Sequence, residues 1–373
     1  MISEKMIQNL ALKGELRMLK LDKDKLQDFL TELAEEYQVY LPIKKNQQTD
    51  FYSFEKLLNS SKVLEIDLDA RLSVKSPKSF LFPRSESYLE FKKDNERLDF
   101  KLKELTGKPN LLFGIRNCDQ ESFKLLDKVF LQEPVDRLYQ RRRESTITVV
   151  GRCLDQSETC FCQLFDIEPA ASETGADLYY FNSDHNLYFT AASDQGELIL
   201  SEYSQYFNNL ESEKETELRM QAEKFNKTIS TNSNNPLTIN KPELLYENKE
   251  KIFNSNIWQE LANRCLECGI CTYLCPTCHC YDIQDYASDQ TGERYRCWDS
   301  CLFSNFTEMA HGDNPREETY QRLRQRFFHK LVYFPEEQKE SLACVGCGRC
   351  LGNCPVNIDI TEVLALAGGV IND

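Results

Sequence analysis

The stretch CLECGICTYLCPTCHCYD, Cys265 to Asp282, contains six cysteines within sixteen residues. Its first four cysteines follow the spacing C-x2-C-x2-C-x3-C-P, and the same spacing returns in CVGCGRCLGNCP, residues 344–355. This spacing is typical of ligands to a 4Fe–4S cluster, whereas zinc sites usually pair two short C-x2-C knuckles across a longer gap. The sequence therefore predicts two 4Fe–4S clusters rather than zinc.

In two-cluster proteins the fourth cysteine of each run binds the other cluster, which assigns four ligands to each. Cluster A then takes Cys265, Cys268, Cys271 and Cys354, and cluster B takes Cys344, Cys347, Cys350 and Cys275. The two runs are separated by 68 residues that include an amphipathic pattern. An insertion of this length favours an α-helical dicluster domain over a small β-rich ferredoxin.

Helix signals surround both runs. NSNIWQELANR leads into the first run, and NPREETYQRLRQRFFHKLVYF predicts a helix with Asn314 as N-cap and Pro315 at its first position. We expect that helix to end at Pro335. DITEVLALAGG, after the second run, predicts a last helix closed by glycine.

The N-terminal half predicts a mixed α/β domain. PNLLFGIRNCD and STITVVGRC each combine an apolar strand pattern with a cysteine just beyond it, and DLYYFNSDHNLYFTAAS predicts a hairpin around Ser183 to Asn186. NKTISTNSNNPLTINKPE, residues 226–243, is typical of a linker. We therefore expect two domains, residues 1–240 and 241–373.

Four cysteines of the N-terminal half lie within 45 residues, after 117 residues without any: Cys118, Cys153, Cys160 and Cys162. Two of them follow predicted strands, at the sheet edge where ligand sites gather in open α/β folds. They predict a third iron–sulfur cluster. Zinc and buried, unliganded thiols are the alternatives.

Four more cysteines follow no metal-ligand spacing: Cys278, Cys280, Cys297 and Cys301. They could form a further metal site, with Cys278, Cys280 and Cys301 as candidates. A redox-active thiol pair and simple packing beside cluster B are the other two interpretations.

Composition narrows the function classes. The chain has 373 residues, a net charge of −15 and sixteen cysteines. Nucleic-acid binding is disfavoured because it needs clustered Lys and Arg, and no apolar run is long enough to span a membrane. Sixteen cysteines without a secretory signal indicate a reducing, cytoplasmic location and metal ligation. No P-loop or G-x-G-x-x-G pattern follows a strand, so we expect this chain to bind neither flavin nor nicotinamide.

The sequence resembles a family of iron–sulfur subunits that includes the beta type of sulfhydrogenases and the A type of anaerobic sulfite reductases. The resemblance rests on LFPRSE, LLFGIRNCDQESFKLLDKVFL and CLDQSETCFC in the first half, and on both cysteine runs, RCWDSC and RLRQRFFHK in the second. It implies a cytoplasmic protein that works beside two other subunits, one that binds FAD and NAD(P) and one that is a catalytic hydrogenase or sulfite reductase. The family pattern includes the four N-terminal cysteines and Cys278, Cys280 and Cys301, but not Cys297.

These observations predict an electron-transfer subunit of a multi-subunit oxidoreductase, without a catalytic site of its own. The alternative is a reductase in its own right, which would use a non-standard cluster near Cys278, Cys280 and Cys301 for thiol, disulfide or sulfur chemistry. No acid–base group stands out in that insertion, which disfavours the alternative.

Overall fold

The computed structural model describes residues 18–58, 65–94, 97–170, 175–231, 242–338 and 341–372. Its strands are β1 (Leu19–Asp22), β2 (Gln38–Lys45), β3 (Gln48–Ser53), β4 (Glu65–Ile66), β5 (Ser85–Asp94), β6 (Arg97–Leu102), β7 (Asn110–Ile115), β8 (Thr146–Gly151), β9 (Leu178–Asn182), β10 (Asn186–Ala191), β11 (Phe207–Asn209), β12 (Tyr281–Ala287) and β13 (Thr291–Trp298). Its α-helices are α1 (Leu26–Glu36), α2 (Phe54–Leu58), α3 (Asn117–Phe130), α4 (Arg137–Glu144), α5 (Asp194–Glu202), α6 (Ser212–Thr231), α7 (Glu243–Glu247), α8 (Lys249–Phe253), α9 (Ile257–Ala262), α10 (Ile270–Tyr273), α11 (Thr319–Phe328), α12 (Phe334–Glu337), α13 (Arg349–Gly352) and α14 (Ile360–Asn372). Short 3-10 turns occupy Lys23–Lys25, Pro77–Phe80, Cys162–Phe165, Ser204–Tyr206 and Ser304–Thr307, and a π-helical turn occupies His329–Tyr333.

A mixed sheet forms the centre of the first half, with strand order β11-β1-β10-β9-β8-β7-β2-β3 and β4 paired to β2. The four strands β2, β7, β8 and β9 run parallel to one another, and the outer pairs are antiparallel. Parallel strands are covered on both faces, and accordingly every residue of NLLFGI and TITVVG except Asn110 is buried and most are apolar. The predicted α/β class of this half is confirmed, as is the β9–β10 hairpin.

Alternate residues of the parallel strands enter two cores. Leu111 and Phe113 of β7 face α1 and α5, whereas Leu112 and Ile115 face α3 and α4. The alternation follows from the two-residue period of a strand, and the register shift between Phe113 and Ile115 turns Ile115 to the same face as Leu112. Because β7 and β8 run parallel, their carboxyl ends lie at the same edge of the sheet, where Cys118 and Cys153 follow.

A second sheet, of strand order β12-β13-β5-β6, contains strands from both halves of the sequence. Residues 281–298 form an antiparallel hairpin whose inner strand β13 pairs with β5. The prediction of an α-helical dicluster domain over residues 241–373 is therefore wrong for these residues. The physical reason is strand pairing: β13 lies between β5 and β12, and β12 is an outer strand exposed at every residue. The two strands meet at a turn in which the Ser288 N–H donates to the Thr291 carbonyl at 2.8 Å.

The other helices of the second half surround a core that includes Trp258, Phe327, Leu331 and Leu364. Helix α11 begins at Thr319 with Glu318 as N-cap, not at Pro315. The Asn314 side chain accepts from the Arg316 N–H and the Thr307 hydroxyl and so caps the turn at residues 315–316 rather than the helix. The helical path also continues through Pro335, since a proline in the first turn of α12 needs no N–H. Helix α14 likewise continues beyond the two glycines to Asn372.

Among the described residues no helix is both long and apolar enough to cross a membrane. Helix α6 extends to Thr231, into the stretch predicted as a linker. The predicted domain boundary at residue 240 lies outside the described residues.

Candidate metal centres

The two cysteine runs fold into matching loops. In each loop a glycine with positive φ precedes a one-turn helix that carries the third cysteine: Gly269 (φ 70°) before α10 with Cys271, and Gly348 (φ 77°) before α13 with Cys350. Because only glycine adopts this conformation without strain, the two-residue gaps of the motif require it. The two short helices pack against each other, which brings the loops together.

Two cavities lie at these loops, and each is bordered by four cysteines. Cavity A is bordered by Cys265, Cys268, Cys271 and Cys354, and cavity B by Cys275, Cys344, Cys347 and Cys350. The structure thus brings three cysteines of one run together with the fourth of the other, in both directions. These are the two sets that the crossed ligand rule predicts.

A third cavity, cavity N, is bordered by all four N-terminal cysteines: Cys118, Cys153, Cys160 and Cys162. Cys118 lies in the first turn of α3, Cys153 two residues after β8, and the other two in the loop that follows. The sulfurs of Cys160 and Cys162 are 3.7 Å apart. The edge of the parallel sheet therefore gathers thiols that are up to 44 positions apart in sequence.

Cavity B lies between the other two. On one side, the Phe161 N–H donates to the Gly346 carbonyl at 2.8 Å, and Cys118 packs against Val345 and Cys347. On the other side, Arg326 borders cavity A as well as cavity B. The order of the three cavities is therefore N, B, A.

Burial dominates the electrostatics of the thiols. It raises the pKa of Cys271 to about 11 and that of Cys344 to about 12. A metal binds the thiolate, so loading these sites with iron releases protons.

Buried cations border all three cavities: Arg326 borders A and B, Lys330 borders B, and Arg116 borders N. Each of the three side chains is 4% exposed. Thiol donors beside buried positive charge suit an anionic thiolate-ligated cluster, since a buried charge is costly without a partner. The donor sets present therefore fit iron–sulfur clusters.

Sequence reasoning missed these cations. A usable signal was present in RLRQRFFHK, where Arg322, Arg326 and Lys330 recur every fourth residue among apolar neighbours. Such spacing places them on one stripe of the helix. A charged stripe on the apolar side of a helix indicates a buried counter-charge.

The surplus cysteines do not border the three cavities. Cys278 interacts with Cys275, and Cys280 with Cys301 at the base of the β12–β13 hairpin, whereas Cys297 lies within β13. Within the described ranges, no three or more His, Cys, Asp or Glu side chains are placed to hold a single metal ion, and this applies equally to the cysteines of cavities A, B and N. Cys301 is buried and interacts with both Cys280 and Cys278, and a metal site at these three cysteines stays a prediction.

Residues 264–358 match the family model described as a 4Fe-4S dicluster domain. The chain is thus an iron–sulfur protein of the dicluster class, as its two cysteine runs predict. Over 351 residues it is 30% identical to the sulfhydrogenase 2 subunit beta of Pyrococcus furiosus, a match that covers 94% of this chain and 98% of that one. The chain belongs to the family of sulfhydrogenase beta subunits, which confirms the resemblance found in the sequence.

Proposed function

We propose that this chain is the electron-transfer subunit of a cytoplasmic multi-subunit oxidoreductase. Three iron–sulfur clusters, at cavities N, B and A, form its conducting path. The observation that carries the proposal is that each cavity is bordered by four cysteines and that the walls of neighbouring cavities are adjacent. Phe161, between two cysteines of cavity N, borders cavity B, and Arg326 borders both B and A.

The two ends of this path approach the surface at different places. At cavity A, Cys268 is exposed and Leu266 is 63% exposed. At cavity N, the bordering Asp155 is exposed and pairs with Arg71. Cavity B is shielded, with Cys275 and Cys347 both buried. Electrons therefore enter at one end, pass through cluster B and leave at the other.

The partners follow from family membership. A beta subunit of a sulfhydrogenase is by name one part of a larger enzyme. At one end of the path we propose a partner that binds flavin and NAD(P), and at the other a catalytic hydrogenase or sulfur-reducing subunit. This chain itself binds neither flavin nor nicotinamide and turns over no substrate alone.

The test is the iron and acid-labile sulfide content per chain after anaerobic purification. Two four-iron clusters correspond to about eight irons and three to about twelve. We expect about twelve in the wild type and about eight in a Cys118→Ser, Cys162→Ser double variant. Cys297→Ser is the matched control and keeps about twelve, because Cys297 borders none of the three cavities.

Other outcomes contradict the proposal in part or in full. About eight irons in the wild type and in the double variant would exclude cavity N from the path. About eight irons with one zinc per chain would make it a zinc site. A chain without iron would remove the electron-transfer function altogether.

A further inference from the structure

Three cations lie along one stripe that starts in helix α11 and ends in the π-helical turn: Arg322, Arg326 and Lys330. Each side chain is 4% exposed. Arg322 forms an ion pair with Glu267. In the part of the chain that the structure describes, Arg326 and Lys330 have no carboxylate within ion-pair distance. Burying these two positive charges is costly without a negatively charged partner, so they need an anion other than a carboxylate.

Lys330 makes direct contact with a predicted ligand of cluster B. Its ammonium group donates to the Cys275 sulfur at 3.3 Å, to the Thr277 hydroxyl oxygen at 2.9 Å and to the Ala343 carbonyl at 2.9 Å. The Thr277 hydroxyl in turn donates to the same Ala343 carbonyl at 2.8 Å, so its oxygen is free to accept from Lys330. An ammonium group has three protons. All three protons of Lys330 take part in these hydrogen bonds, which fixes the positive charge next to the Cys275 sulfur.

A second lysine strengthens the positive field at cavity B. Lys78 is 2% exposed and comes from the other half of the sequence. Its ammonium group donates to the Cys278 carbonyl at 2.8 Å and lies 4.2 Å from the centre of the Trp298 ring. Lys78 touches no predicted ligand sulfur through a hydrogen bond, so its effect on cluster B is weaker than that of Lys330.

Cavity A differs from cavity B in its exposure to water and in the cations beside it. Its loop is partly exposed, and water weakens the effect of any nearby charge. The cation that borders it is Arg326, which also borders cavity B and is shared between Cys271 of cavity A and Cys350 of cavity B, whereas among the described residues Lys330 and Lys78 have no counterpart at cavity A. The contact to the cavity A sulfur of Cys354 is a backbone one, from the Ile358 N–H at 3.3 Å. The buried positive charge is therefore concentrated on the cluster B side.

We propose that Lys330 makes cluster B the highest-potential centre of the dicluster pair, so that an electron rests on the shielded middle cluster. Reduction adds one negative charge to a cluster, and a fixed cation beside a ligand sulfur stabilises that charge. Hydrogen bonds to the sulfurs and burial are the established means by which proteins set cluster potentials. Lys330 is a positioning residue in this scheme, and the inference rests on the proposed function.

The test is an anaerobic redox titration, followed by EPR spectroscopy, of the full chain and four variants, with iron measured in each sample. Lys330→Met removes charge and donor, Lys330→Gln keeps a donor without charge, and Lys330→Arg keeps the charge. The matched control is Lys249→Met, because Lys249 is an exposed lysine whose partner is Glu336. Full iron content and reduction by dithionite in the wild type establish the proposed function independently.

We expect Lys330→Met to disfavour reduction of the highest-potential cluster at least tenfold, which is 59 mV for a one-electron couple. Lys330→Gln shifts it in the same direction, Lys330→Arg shifts it less than threefold, and Lys249→Met leaves it unchanged. An unshifted potential in Lys330→Met with full iron would overturn the inference. An equal shift in Lys330→Arg, or loss of iron in all three Lys330 variants, would also overturn it, because the role would then be structural.

Discussion

The contact between the cavity N loop and the cavity B loop depends on a glycine, and replacing it tests how the centres are held together. Gly348 has φ 77° and is buried. A Cβ atom there would lie 2.6 Å from the carbonyl carbon of Thr159, next to Cys160. Gly348→Ala must therefore strain its own backbone and displace a backbone segment that leads to Cys160, a proposed ligand at cavity N.

The free energy of unfolding lost in Gly348→Ala has two parts, backbone strain and overpacking, and variants at two other glycines measure them separately. A left-handed backbone costs an alanine about 1–2 kcal/mol, and overpacking a rigid neighbour adds about 1–3 kcal/mol. Gly312 has φ 85°, and a Cβ atom there would have no neighbour within 4 Å, so Gly312→Ala measures strain alone. Gly369 lies in α14 with neither strain nor neighbour, so Gly369→Ala should stabilise the chain by about 0.5–1 kcal/mol.

The assay is thermal unfolding of the iron-loaded chain under anaerobic conditions, with iron content before heating. A loss of 1 kcal/mol lowers Tm by about 2–4 °C in a unit of 150–250 residues and by less in a unit as large as this chain. We expect Gly369→Ala to have a higher Tm than the wild type, Gly312→Ala a lower Tm, and Gly348→Ala the lowest Tm of the four. Gly348→Ala should also contain less iron than the wild type. Equal losses for Gly348→Ala and Gly312→Ala would refute the reasoning, since the Thr159 contact would then carry no free energy.

Two further predictions concern charge. The Arg349 guanidinium is 2% exposed and lies 2.7 Å from the Asp119 carboxylate. Asp119→Asn removes that negative charge and should lower the free energy of unfolding by about 3–5 kcal/mol in thermal unfolding. The double variant Asp119→Leu, Arg349→Met removes both charges and should recover most of this loss. A failure of the double variant to recover would show that other contacts of Arg349 dominate. Removing iron with a chelator deprives Arg326 and Lys330 of thiolate partners, so the Tm of the wild-type chain should fall strongly. The comparison is Arg294→Ala, which removes an exposed ion pair with Asp285 worth about 0–1 kcal/mol and should lower Tm far less. Equal Tm values for the iron-free chain and Arg294→Ala would contradict this.

Local spacing made much of the site predictable. A C-x2-C-x2-C-x3-C-P run encodes its own loop geometry, and the ends of β7 and β8 could be read from short apolar runs before Cys118 and Cys153. The hairpin at 281–298 was missed because its pairing partner, β5, lies about 200 positions earlier in the chain. Strand propensity of a half-exposed segment depends on such a partner. Buried Lys78 and Lys330 were missed for a similar reason, since a lysine in sequence is ordinarily a surface residue.

Contacts between the two halves explain why the N-terminal half cannot be regarded as a separate docking module. Lys78 donates to the Cys278 carbonyl, Arg349 donates to the Ser73 carbonyl at 2.9 Å, and the Phe161 N–H donates to Gly346. Each of these contacts involves a residue close in sequence to a cysteine of cavity B: Gly346 and Arg349 flank Cys347, and Cys278 follows Cys275. Folding the first half thus supplies walls and charge for the second, because buried groups need their partners in place. Separate expression of residues 242–373 would leave these groups without partners, so the dicluster centres and cavity N are one structural unit.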